Sequence, residues 1–281
     1  MNGPAPDLSA LLGAAGAETF FGLPPCPDLA ALDAPAALLG VLGASPYRAV
    51  GPYCRNGSAA LRAASGTFAG LLANHDFDLG GPVFPAGSRP AVDAGDLPFH
   101  ETDFAANRAA IRAASAAILA KGAVPILIGG DDSVPIPMLE ALGAVTDRLT
   151  LLQIDAHIDW RDEHMGERWG LSSTMRRASE MSHVAGIVQL GARSLGSAKP
   201  EDVAAAESWG AKLIPAETFR AGGIAAVLDH IPEGGDLAIC FDADAFDPAL
   251  VPAVIGRAPG GLTYPEAAAL LKSAAAKARI R

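Results

Sequence analysis

Cysteine is scarce in this 281-residue chain, with three in all, Cys26, Cys54 and Cys240. They show no CxxC spacing, so neither a disulfide framework nor a cysteine-rich zinc site is expected. Ordinary thiols in a reducing compartment fit better. Charge and aromatic residues are also sparse, at 19% and 6%, while half of the residues are hydrophobic. That balance excludes a disordered chain, which lacks apolar residues and carries more charge. Bases number 21 against 31 acids, a net charge of −10. A shortage of clustered Lys and Arg argues against nucleic-acid binding. Long apolar runs are missing too: residues 123–128 fall far short of the ~20 residues of a membrane span. No basic-then-apolar leader opens the chain, so a soluble, cytoplasmic protein with no membrane partner is expected. The 31 glycines and 22 prolines imply frequent turns, and the glycines have no three-residue period, which excludes collagen.

What is present is a recurring alternation. Short apolar runs at 37–44, 124–128, 149–154, 186–190, 212–214 and 236–241 read as buried strands. Between and after them, 58–64, 104–121, 134–142, 201–208, 221–230 and 264–278 read as helices, with 74–100 rich in loops. Continuous apolar strands alternating with amphipathic helices predict an α/β fold, a parallel sheet covered on both faces. No linker or internal repeat stands out, so one domain over 1–281 is expected, opened by an irregular arm over 1–35.

Ligand sites in such sheets form beyond the carboxyl ends of the strands. Three polar clusters fall there: Gly129-Gly130-Asp131-Asp132-Ser133, Asp155-Ala156-His157-Ile158-Asp159, and Asp242-Ala243-Asp244-Ala245-Phe246-Asp247. Alternate residues of an extended segment point the same way. Asp-x-His-x-Asp therefore offers two oxygen ligands and one nitrogen, and Asp-x-Asp two more oxygens. So many acids repel one another unless cations neutralise them. Two carboxylate-bridged divalent ions would do so, and would also lower the pKa of a shared water. Oxygen-rich ligand sets with some nitrogen suit Mn²⁺, with Ni²⁺, Fe²⁺ or Co²⁺ as alternatives. N-caps and loop turns are the ordinary reading of a single Asp-x-Asp; three clusters together favour metal.

The segments IGGDDS (128–133), QIDAHIDW (153–160), FDADAFDP (241–248) and GGLTYPE (260–266) resemble the ureohydrolases, the family of arginases and agmatinases. QLGAR (189–193) fits the same pattern, and weaker similarity reaches back to 53–58. The resemblance spans roughly 37–272 and implies a three-layer α/β/α fold around a central, mainly parallel sheet. It implies two Mn²⁺ ions and a metal-bridging hydroxide that attacks a guanidinium carbon, releasing urea and an amine. One ion would take Asp132, Asp155, Asp159 and Asp242, and the other Asp155, His157, Asp242 and Asp244. Glu266 would pair with the substrate guanidinium, and Asp159 and His157 would join it in catalysis. Relatives assemble as trimers or hexamers, so a homo-oligomer is implied.

Three departures from the family pattern stand out. Asp132 occupies a position where relatives usually have His, adding negative charge to the cluster and favouring harder ions. The His-Gly that relatives carry beyond the second cluster is replaced by Trp169-Gly170, leaving His164 and His183 as the nearest imidazoles. The resemblance also leads one to expect a further strand and helix, and a sheet edge left open where the chain ends at Arg281. For the substrate tail, Arg161 suits an anionic group, as in 4-guanidinobutyrate, unless Asp162 and Glu163 neutralise it; agmatine is the other choice. Trp160 and Trp169 either wall the pocket or pack. A different metal-dependent amidohydrolase or deacetylase on this fold, or a non-catalytic relative, are the alternative readings.

Overall fold

The structure, a computed structural model, describes residues 18–196 and 198–281. The chain divides into two compact units, the first comprising the residues up to 44 with 51–131, the second 45–50 with 132–281.

In the first unit, β1 (Ala36–Gly40), α1 (Gly57–Ser65), β2 (Val92–Asp96), α2 (Phe104–Ala120) and β3 (Val124–Ile128) build a three-stranded sheet in the order β2-β1-β3. Both pairings are parallel. Asp103 caps α2, its carboxylate accepting from the Ala106 N–H at 2.9 Å, and Ile111, Ile118 and Leu119 lie on its buried side. β2 falls in the stretch expected to be loop. Its sequence, VDAGD, has no apolar run; the ladder to β1 makes it a strand. Of the arm expected over 1–35, residues 1–17 lie outside the described residues. The remainder forms short 3-10 turns at Phe20–Gly22 and Leu29–Ala31, and Phe20 is fully buried with Leu23, Leu38 and Ala91.

The second unit holds α3 (Pro135–Leu142), β4 (Leu149–Ile154), α4 (Thr174–Ala178), β5 (Val184–Leu190), α5 (Pro200–Trp209), β6 (Lys212–Ile214), α6 (Ala216–Gly222), α7 (Ala225–Leu228), β7 (Asp236–Phe241), α8 (Tyr264–Lys277) and β8 (Arg279–Ile280). Its strands form an all-parallel sheet in the order β6-β5-β4-β7-β8. β4 is buried along its whole length, as a central strand covered on both faces must be. Leu152, Ile154, Val188, Leu190 and Leu237 meet Phe219, Val227, Leu270 and Ala274 from the helices, with Ile231 from the loop before β7, in one core. The single helix expected over 221–230 is split in two, because Gly223 sits at φ 64°, ψ −160°, a conformation that only glycine adopts readily. Both sheets are parallel with flanking helices, in agreement with the expected fold class. Among the described residues, no helix is long and apolar enough to cross a membrane.

Candidate functional site

The carboxyl ends of β4 and β7 are hydrogen-bonded neighbours, Ile154 opposite Phe241. The residues that follow them, Asp155 and Asp242, therefore leave the sheet side by side. Asp242 keeps the ladder for one more step, its N–H donating to the Ile154 carbonyl at 3.0 Å. Asp155 does the same on the other side, donating to the Leu190 carbonyl at 2.9 Å. Gly191 allows this close approach. It has φ +110°, and a Cβ there would lie 2.6 Å from the Asp155 carbonyl oxygen.

Beyond the strand ends, the two acidic loops interlock through their carboxylates. Asp244 Oδ1 accepts from the Ala156 N–H at 3.0 Å, and Asp155 Oδ1 from the His157 N–H at 2.7 Å. Asp242 Oδ1 accepts from the Asp244 N–H at 2.8 Å. His157 Nδ1 lies 3.3 Å from Asp155 Oδ1 and 3.0 Å from Asp244 Oδ2. Arg193 tightens the second loop from beneath, donating to the carbonyls of Asp244 (2.7 Å), Phe246 (3.2 Å) and Ala258 (2.9 Å). Asp159 turns back into the cluster through a left-handed backbone at φ 48°, which Asp tolerates better than most residues.

Two groups of ligand atoms result, each with its members within 4.8 Å of one another: Asp155, His157 and Asp244, and Asp132, Asp155 and Asp242. Asp155 belongs to both. Asp132 follows β3 in the chain but belongs to the second unit, where its carbonyl accepts a hydrogen bond from the Thr174 hydroxyl. Its Oδ2 is buried and has no hydrogen-bond partner among the described residues.

The charges of the cluster are unresolved by the protein alone. Burial, then the charges of Asp159, Asp155 and Asp242, hold the Asp132 carboxyl well above the usual carboxylate range. Burial and the Asp159 charge do the same to Asp155. Asp159 is raised by burial, in part offset by hydrogen bonds from its neighbours. Asp242 is pushed up to about 7 by burial and by Asp244. Asp244 alone is lowered: burial raises it, but the hydrogen bonds from His157 and the Ala156 N–H outweigh that cost. His157, hydrogen-bonded to Asp155 and Asp244, rises to about 11. Five acids and one imidazole thus share a site in which burial and mutual repulsion oppose the ionisation of four of the acids. A buried oxygen atom without a partner, a donor set of carboxylates and imidazole, and like charges crowded together are what a divalent metal pair would relieve. The residues present fit such a pair.

The other expected residues fall into different places. Glu266 closes a capping box at the start of α8, its Oε2 accepting from the N–H and hydroxyl of Thr263, both at 2.7 Å. That helix start is tied to the acidic loop, since the Leu262 N–H donates to Ala245 and the Asp247 N–H to Leu262, at 2.9 and 3.1 Å. Trp160, for which a pocket wall and simple packing were both open, is 2% exposed. Its ring packs against Trp209 with centroids 6.1 Å apart, so it has the environment of a packing residue. Arg161 is not neutralised by Asp162, whose carboxylate is held by Arg168 at 2.9 Å and Arg177 at 2.6 Å; Arg161 lies 4.0 Å from Asp202. His164 stands edge-on to Tyr47 at 5.0 Å, its pKa lowered by burial and then by Arg161. His183 precedes β5, at the amino end of the sheet, with its ring bonded to the Leu139 carbonyl at 2.9 Å. It is at the opposite end from the acids and in no position to shuttle protons among them.

Two features escaped the sequence reading. Gly256 passes over His157 so closely that a Cβ would lie 2.5 Å from Cε1 and 3.0 Å from Asp244 Oδ2. No motif marks it. Gln153 reaches Asp155 and Asp159 from within the sheet, and there a signal existed: a lone amide in the apolar strand LTLLQI.

Comparison with known proteins gives the same picture. The model of the Arginase family matches residues 37–281. Proclavaminate amidinohydrolase from Streptomyces clavuligerus is 30% identical over 261 residues, covering 90% of this chain and 80% of its own. Guanidinobutyrase from Pseudomonas aeruginosa is 30% identical over 160 residues, 55% of this chain and 50% of its own length. Guanidinopropionase from the same organism is 31% identical over 64% of this chain and 58% of its own. Segments of this chain thus match little more than half of two of these three relatives. The solved structure of the Streptomyces enzyme superposes with a TM-score of 0.78 over 90% of this chain and 83% of that one, at 27% identity. Formiminoglutamase from Trypanosoma cruzi, solved with Mn²⁺, shares the fold at a TM-score of 0.71 and 22% identity, over 84% of this chain and 78% of its own.

Proposed function

The chain belongs to the arginase family, and we propose on that basis that it hydrolyses a guanidino compound to urea and an amine with two divalent metal ions, Mn²⁺ foremost. Asp132, Asp155, Asp159 and Asp242 hold one ion, and Asp155, His157, Asp242 and Asp244 the other. The observation that carries this reading is the pair of overlapping ligand groups sharing Asp155, beside a buried Asp132 oxygen that lacks a partner. When bound, the ions supply Lewis acidity and an activated water. The chain's own residues do the rest. His157 and Asp242 are partly exposed and give the substrate access to the cluster. Glu266 pairs with the guanidinium once it leaves its capping role, as carboxylates do with planar cations. Arg161 is not held by Asp162 and meets Asp202 only at 4.0 Å, which leaves its guanidinium to favour an anionic tail and so a guanidino acid such as 4-guanidinobutyrate over agmatine. A homo-oligomer in the cytoplasm belongs to the same reading.

The test is a urea-release screen of the Mn²⁺-loaded protein over 4-guanidinobutyrate, 3-guanidinopropionate, guanidinoacetate, arginine and agmatine. Urea from a guanidino acid in preference to agmatine is the expected result. Arg161→Ala should raise KM for that acid by ~10-fold, about the 1.4 kcal/mol of an exposed charged contact. Urea from none of the five overturns the reading, and acetate or ammonia release from other amides would put a different amidohydrolase in its place.

A further inference from the structure

A buried chain of amides runs from Trp160 to the acidic cluster, and its direction follows from two groups with only one hydrogen-bonding role each. The indole N–H of Trp160 can only donate; the backbone carbonyl of Ile158 can only accept. Gln189 contacts both, Oε1 facing Trp160 Nε1 at 2.5 Å and Nε2 facing the Ile158 oxygen at 2.7 Å. These two constraints agree, and together they settle which end of the Gln189 amide is which. Nε2 then also donates to Gln153 Oε1, at 2.5 Å. The sheet register puts Gln189 directly opposite Gln153 on β4. With its oxygen occupied, Gln153 must present Nε2 forward, 2.9 Å from Asp155 Oδ2 and 2.6 Å from Asp159 Oδ2. Both hydrogens of that amide are used, one on each carboxylate. Gln153, Gln189 and Trp160 are all buried, so no water competes for these contacts.

We propose that Trp160, Gln189 and Gln153 form a positioning chain in which an indole N–H, acting through two amides, sets the orientation of Asp155 and Asp159 as metal ligands. The proposal rests on the metal reading above. An N–H on one oxygen of each carboxylate fixes the plane of the group and turns its other oxygen toward the cluster. It also favours the acceptor-only, ligating form of the acid. Neither glutamine needs to touch a metal or a substrate. Residue 160 thus acts from behind the site and not as a wall of it.

The test uses the full chain stripped with chelator, with Mn²⁺ binding followed by titration calorimetry. Electron paramagnetic resonance of the loaded protein reads whether the two ions are coupled. Gln153→Glu, which replaces the donor with an acceptor, and Gln153→Leu, which deletes it, should each weaken Mn²⁺ binding by ~10–100-fold, the cost typical of an outer-shell partner. Gln153→His, which keeps an N–H donor, should recover part of the loss. Trp160→Phe keeps the ring and frees Gln189 to rotate, and should show a smaller loss of the same kind. Thermal unfolding of the metal-free variants reports on the fold. If the Gln153 variants do not fold, Trp160→Phe and Gln189→Glu decide the question. Folded variants that take up two coupled ions with wild-type affinity overturn the positioning chain. A wild-type protein that takes up no divalent ion overturns instead the metal reading on which it rests.

Discussion

Two sets of acids in this molecule sit at the ends of parallel strands, and they meet opposite fates. In the first unit, β2 carries Asp93 at its second position and ends on Asp96. Arg62 lies against both, 2.9 Å from Asp93 Oδ2 and 2.8 Å from Asp96 Oδ1, with its guanidinium 4.2 Å from the Phe20 ring centroid. Burial raises the Asp93 pKa, but Arg62 and the N–H groups of Phe20 and Gly95 outweigh it and bring the carboxyl below its usual range. In the second unit, Asp155 and Asp159 are buried and Asp132 and Asp242 partly so, and all four rise. Their arginine neighbour, Arg193, directs its donors to backbone carbonyls. A buried acid with an internal cation is a structural element. A group of buried acids without enough internal cations has the makings of a site, and the proposed metal ions would supply the missing charge.

The largest expected effect breaks the second set. Asp155→Ala removes the residue shared by the two clusters of ligand atoms in the structure and should abolish binding of two metal ions, measured as Mn²⁺ per chain after dialysis, with a loss of affinity beyond the ~100-fold that outer partners cost. Unchanged stoichiometry would mean that the acids are not ligands. Next, Arg62→Ala turns the first set into the second. It leaves Asp93 buried without its cation and should cost ~3–5 kcal/mol in chemical denaturation, while leaving Mn²⁺ stoichiometry in the surviving folded protein as it was.

The smallest effect sharpens the contrast through pH. Asp242 has a folded pKa of about 7, above its unfolded value. Its contribution to stability is complete below about pH 4 and is lost as pH rises through about 7, because the folded state then holds the extra proton. The raised carboxyls of Asp132, Asp155 and Asp159 act in the same direction. The metal-free protein should therefore lose thermal stability between pH 5 and 8, and saturating Mn²⁺ should flatten the profile. A metal-free protein whose Tm rises steadily over that range would contradict the charges assigned here.

Much of this was legible in the residues. β3, β4, β6 and β7 lie where their apolar runs place them; β4, buried along its whole length, is the clearest case, since a strand covered on both faces is mostly apolar. The acids of the ligand groups were found because alternating Asp and His at the ends of apolar strands have few other uses. What was not legible depended on partners distant in the chain. VDAGD becomes a strand only beside β1. Trp160 has a polar tip, and its sequence neighbours do not tell whether that tip faces a substrate or Gln189. Arg161 follows the same rule: Asp162 is next to it in sequence, yet pairs with Arg168 and Arg177.

Gly256 carries one more consequence. The space a methyl group would need there is already filled by the His157 ring, so the loop and the imidazole compete for one volume. A side chain at 256 would meet the His157 ring and the Asp244 carboxylate alike, so a residue without a Cβ is what lets the backbone pass this close to both groups.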